Sequence, residues 1–131
     1  MTAAIAGTAY FAIVFAAGFV FGTIRTFLIA PAVGPLAAVL VELPFMLAIA
    51  WYACRRIVRR YDVPPALSTR LAMAATAFAL LMIAEYLLAL ALSGASLHAY
   101  LAQYETAPGL LGLAGQIVFA TFPVIQARRP G

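Results

Sequence analysis

The chain has 131 residues, of which 66% are apolar and only 9% charged, and its mean hydropathy is +1.06. A soluble domain carries about 25% charged residues, so a soluble enzyme, a nucleic-acid binder and a disordered tail are excluded. The net charge of +4 comes from eight basic residues, all of them Arg; in a membrane chain such an excess marks loop orientation rather than nucleic acid.

Four apolar stretches are long enough to cross a bilayer: residues 8–30, 36–53, 71–92 and 110–127. Lipid gives exposed backbone no partner, so each is expected to be helical. The prediction is an all-α, four-transmembrane-helix bundle forming a single domain over residues 1–131. The segment before Ala17 has no Lys or Arg ahead of its apolar run. It therefore lacks the basic start of a cleaved signal peptide and reads as a retained first span. Pro31 and Pro35 bracket a tight first connection, PAVGP, which makes the first two helices an antiparallel hairpin, with Pro35 suited to a first helical position.

The second connection is expected over residues 54–70. It holds Arg55, Arg56, Arg59, Arg60 and Arg70, and Arg128 and Arg129 close the chain. Asp62 ahead of Pro64 and Pro65 reads as a turn. Trp51 and Tyr52 stand where an aromatic belt is expected, and the positive-inside rule puts this connection and both termini in the cytoplasm. Abundant Ala, with Arg to the exclusion of Lys, suits a GC-rich coding sequence. The expected location is a bacterial cytoplasmic (inner) membrane. Cys54 is the single cysteine, so no internal disulfide can form, and it reads as a small apolar residue.

In the third connection Ser96 can cap a short helix. Leu97, Tyr100, Leu101 and Tyr104 then recur at helical spacing, predicting an interfacial helix over residues 97–104 with His98 off the stripe and solvated. Helices one and three share a Phe-Ala pair, at Phe11 and Phe78, and Glu42 aligns with Gln116. A hairpin repeated in one orientation would have parallel two-fold pseudosymmetry.

Each span holds one conspicuous polar residue: Arg25, Glu42, Glu85 and Gln116. Such residues are costly in lipid and face the bundle interior, a cavity or a partner. At helical rise, Arg25 and Glu42 both lie about 13 Å from the first turn, and Glu85 and Gln116 lie about 12 Å and about 10 Å from the same side. All four are expected in one layer, away from the cytoplasm. Gly18 and Gly22 share a face with Arg25, as Gly109 and Gly112 do with Gln116; these glycines are expected to let helices approach closely. Pro44 and Pro123 free the carbonyls four residues before them and are expected to kink their helices. Glu42 is the natural partner of Arg25. Glu85 is then surplus: it shares Arg25, stays protonated, or meets a cation or a neighbouring subunit.

No pair of His residues could ligate haem, no cluster has metal-ligand spacing, and no nucleophile stands with a base. No cofactor, metal or catalytic residue is expected. The first functional expectation is a non-catalytic accessory or assembly subunit that packs in the lipid bilayer against other membrane proteins or against itself. The second is an oligomeric proton- or cation-coupled transporter or channel that uses the polar layer. A third is a lipid or isoprenoid binder with Phe11, Phe15, Phe19 and Phe21 along a lateral groove. Gly18, Gly22, Arg25, Pro31, Gly34, Glu42, Pro44 and the Arg run together resemble the front half of a group of small, uncharacterised four-helix bacterial integral membrane proteins. That resemblance covers about a third of the chain and implies architecture alone.

Overall fold

The computed structural model describes residues 2–94 and 96–127; Arg128 and Arg129 lie outside the described residues. The described chain is all-helical, with four helices long and apolar enough to cross a membrane: Thr2–Val33, Pro35–Arg60, Leu67–Ala91 and Ala107–Ala127. The first comprises α1 (Thr2–Ile24), a π-helical segment (Arg25–Ile29) and one turn, α2 (Ala30–Val33). There follow α3 (Pro35–Arg60), α4 (Leu67–Ser93), the short α5 (Leu97–Ala102) with a 3-10 turn (Gln103–Glu105), and α6 (Ala107–Ala127).

Gly34 alone separates α2 from α3. Its φ of 91° lies where only glycine is unstrained, and Pro35 starts the next helix without losing a needed N–H. The π-helical turn accompanies Pro31, which cannot donate to the carbonyl four residues before it. The amide of Ala30 bonds instead to the carbonyl of Arg25, five residues back. At the far end, α3 runs to Arg60 rather than ending near Ala53. The residues 54–60, expected in a loop, are helical because no breaker precedes Pro64, and Arg59 and Arg60 in the last turn complement the helix dipole. The connection therefore shrinks to residues 61–66, with Asp62 in the left-handed region at φ 48°.

The helices α1 and α6 each pack against both α3 and α4, while α1 and α6, like α3 and α4, stand across a diagonal. The equivalent helices of the two hairpins are thus neighbours. A two-fold axis along the bundle would put them diagonally opposite, so the expected parallel pseudosymmetry is absent. The close approach between α1 and α4 occurs at Gly7, where an added Cβ would lie 2.7 Å from the Met73 carbonyl oxygen and 2.9 Å from Thr76 Cβ. Sequence reading had favoured other glycines. At Gly18 an added methyl would meet only Met46 Cε at 3.6 Å, at Gly22 only the Arg25 guanidinium at 3.7 Å, and at Gly112 nothing within 4 Å. Gly109 is needed, but against the Gln103 carbonyl of the preceding turn rather than against a helix.

The buried core occupies the Arg-rich end. Ala3, Ala6, Tyr10 and Val14 of α1 meet Ala50, Ala53, Cys54 and Ile57 of α3, Met73, Ala77 and Leu81 of α4, and Phe119 and Phe122 of α6. Both α3 and α6 remain continuous through Pro44 and Pro123. Pro123 deprives the Phe119 carbonyl of its usual donor, and Tyr10 Oη supplies one at 2.6 Å while its ring stacks on Phe119 at 4.4 Å. Arg70, expected in a cytoplasmic loop, is instead only 4% exposed. Its guanidinium donates to the carbonyls of Pro123 at 2.8 Å, Pro64 at 3.1 Å and Val63 at 3.2 Å. It ties α4 to the end of α6 and to the α3–α4 connection. Gln126 Nε2 adds a bond to the Trp51 carbonyl at 3.0 Å, beside the Trp51–Phe122 edge contact.

Two outcomes follow for stability in mild detergent. Tyr10→Phe leaves the Phe119 carbonyl unpaired and is expected to cost about 1–3 kcal/mol, and Arg70→Ala at least as much; thermal unfolding measures both. Gly7→Leu is expected to abolish or strongly destabilise folding, whereas Gly18→Ala and Gly112→Ala leave the unfolding midpoint unchanged.

Candidate functional site

Among the residues whose burial is described, none beyond Val14 in α1 or Leu81 in α4 is buried, and in α6 the buried residues begin only at Gly115. The two hairpins, α1–α3 and α4–α6, are tied at the Arg-rich end and pack less closely toward the opposite end, where Gly115 of α6 still lies against Leu43 of α3. Between them is a cavity of about 1050 Å³, open to the exterior. Ligand pockets usually measure about 300–1,000 Å³, so there is room for a small molecule.

All four residues of the polar layer line this cavity. Arg25, on the π-helical turn, donates from Nη1 to Glu42 Oε2 on α3. Glu42 is buried and Arg25 about one-third exposed. Across the cavity, Gln116 Nε2 on α6 donates to Glu85 Oε2 on α4 at 2.5 Å, which leaves Gln116 Oε1 buried without a partner. Each pair lies inside one hairpin, and neither bridges the two. The guanidinium of Arg25 nonetheless stands near enough to Glu85 for their charges to interact. Gly18, Gly22, Gly109 and Gly112 also line the cavity. With no side chain, Gly18, Gly22 and Gly112 keep it wide, a role distinct from the helix contact expected of them.

α5 and the 3-10 turn contribute Tyr100, Gln103 and Tyr104 to the cavity wall. Ser96 caps α5 by accepting from the Ala99 amide at 3.1 Å. The expected apolar stripe divides. Tyr100 and Tyr104 turn toward the cavity, while Leu97 and Leu101 stay about half exposed. His98 is exposed. Tyr100 Oη and Tyr104 Oη are 3.0 Å apart. The Tyr100 ring meets Tyr86 at 5.3 Å and 70°, and Tyr104 at 5.8 Å and 90°. Burial, then the bond to Tyr104, pushes the Tyr100 hydroxyl above its ordinary range. It stays protonated, a neutral donor, at any physiological pH. Thr106 starts α6 by accepting from the Gly109 amide at 3.2 Å while donating to the Gln103 carbonyl at 2.6 Å. Sequence reading missed this cap, although Thr three residues before Gly109 carries the signal.

The remaining walls are mostly apolar, among them Phe15, Phe19, Met46, Leu88, Leu113 and Phe119, with Thr23 and Thr26 beside Arg25. Of the four aromatics expected along a groove, Phe15 and Phe19 line the cavity, and Phe11 stacks on Phe15 at 5.5 Å from outside it. Among the described residues no group of His, Cys, Asp and Glu is placed to hold a metal ion. In comparisons with known proteins the chain matches no family model, no curated protein and no solved structure.

The two pairs differ in what they hold. Glu42→Leu strands the Arg25 guanidinium and is expected to lower stability by about 1–3 kcal/mol. Glu85→Gln retains an acceptor for the Gln116 amide and is expected to leave the unfolding midpoint within the error of a detergent melt.

Proposed function

We propose that this chain is a non-catalytic, multi-pass protein of a bacterial cytoplasmic membrane whose outer cavity binds a small amphiphilic molecule. Both termini and the Arg-rich end lie on the cytoplasmic side in this reading, by the positive-inside rule. The cavity then opens in the half of the bilayer facing away from the cytoplasm. The polar layer would hold the ligand's polar part, and Phe15, Phe19, Met46 and Phe119 would hold its apolar part.

One observation carries this reading: the layer lies in the wall of a cavity, as two pairs that each stay within a hairpin. Polar residues kept to fix helix register would bridge the hairpins, because each hairpin is already held by its own connection. Ionisable residues at membrane depth that face a cavity are, by default, ligand or pathway groups. A continuous route across the membrane would require the packed end to open. The Tyr10 and Arg70 bonds oppose that, which favours a binding protein over a channel.

The test is native mass spectrometry of the chain expressed at natural level and carried in lipid nanodiscs. The expected spectrum contains the chain, alone or as a homo-oligomer, with a retained non-covalent small molecule. A Glu85→Leu/Gln116→Leu double variant, still folded by circular dichroism, is expected to lose it. A stoichiometric complex with foreign subunits and no retained small molecule would overturn the reading in favour of an accessory subunit.

A further inference from the structure

Resting on the binding reading above, we infer that the cavity selects an apolar organic monocation, seated between the Glu85 carboxylate and the faces of Tyr100 and Tyr104.

Charge gives the first argument. The cavity wall holds one guanidinium and two carboxylates. Arg25 is in direct contact with Glu42 and only within electrostatic range of Glu85, so with both carboxylates ionised the wall carries one net negative charge. Gln116 contributes a neutral amide donor to Glu85, and that bond occupies only Oε2. Oε1 makes no hydrogen bond among the described residues. The same end of the molecule carries the exposed Glu105, and among the described residues Arg25 is its only Arg. Three of the four acidic residues of the chain, Glu42, Glu85 and Glu105, stand at this end. A net charge held between low-dielectric walls focuses its field and concentrates the opposite charge. An anion entering the cavity would meet two carboxylates and a guanidinium already engaged.

Aromatic geometry gives the second. Two rings at 90° to each other, with centroids 5.8 Å apart, make a corner in the cavity wall beside Glu85. Their hydroxyls hold each other at 3.0 Å, and Tyr86 props the Tyr100 ring edge-to-face from α4. The corner is therefore fixed before any ligand arrives. The negative faces of such rings attract desolvated cations, and quaternary cations are the usual guests of aromatic corners. Glu85 lines the same cavity as both rings, within electrostatic range of Tyr100. The apolar body of the ligand would extend along Phe15, Phe19 and Met46, where the glycines leave space.

The probes are tetraphenylphosphonium and tetraphenylborate, which match in size and apolar surface and differ in sign. Binding of each is measured by equilibrium dialysis to the full chain in zwitterionic nanodiscs, with empty nanodiscs subtracted. Saturable binding of tetraphenylphosphonium alone is expected. Glu85→Gln should weaken it by roughly tenfold or more, Tyr100→Leu by about tenfold, and Tyr100→Phe, which keeps the ring face, by no more than about threefold. Unchanged phosphonium binding in folded Glu85→Gln, or equal loss in Tyr100→Phe and Tyr100→Leu, would overturn the inference. Saturable binding of the borate with equal or greater affinity would also overturn it, while leaving the cavity as a binding site. If neither probe binds saturably, the cation class is rejected, and the small molecule retained in the native spectrum decides the binding reading separately.

Discussion

The structure depends on how the Arg-rich end satisfies backbone carbonyls that a membrane-spanning chain cannot leave to water. Pro123 removes an amide from α6, and the orphaned Phe119 carbonyl is taken by Tyr10 from the diagonal helix. One turn further on, Arg70 binds the Pro123 carbonyl together with two carbonyls of the α3–α4 connection. Unsatisfied backbone groups in lipid cost several kcal/mol each, so these contacts fix where four otherwise slippery apolar helices meet. Small residues then let the helices close, as Gly7 does between α1 and α4, and the buried core forms around this point.

The opposite end has no comparable lock. The Arg25–Glu42 and Glu85–Gln116 pairs satisfy their own hairpins and make no hydrogen bond between them, although α6 still meets Leu43 of α3 at Gly115. The π-helical turn, imposed next to Pro31, sets Arg25 at the cavity wall level with Glu42, and such turns recur at functional sites. Close packing at one end and looser packing at the other leave an open cavity, and the two tyrosines of α5 and the 3-10 turn form part of its wall. Tyr10 and Gln126 bond between the hairpins at one end, whereas the polar layer pairs within hairpins at the other.

Sequence alone determined the all-helical, membrane-spanning architecture, because composition and the length of four apolar runs leave lipid as the only solvent that fits. It also marked the Gly34 turn, the Ser96 cap and the four polar residues, each from local chemistry that needs no neighbour. The tertiary structure decided which apolar helices touch and how they are rotated. Hydropathy contains no such information in a chain apolar on every side, so the two-fold arrangement, the loop position of Arg70 and the contact role of Gly18, Gly22 and Gly112 were all misread. It likewise decided that the polar layer divides into two pairs across a cavity, since depth follows from helical rise but facing follows from packing.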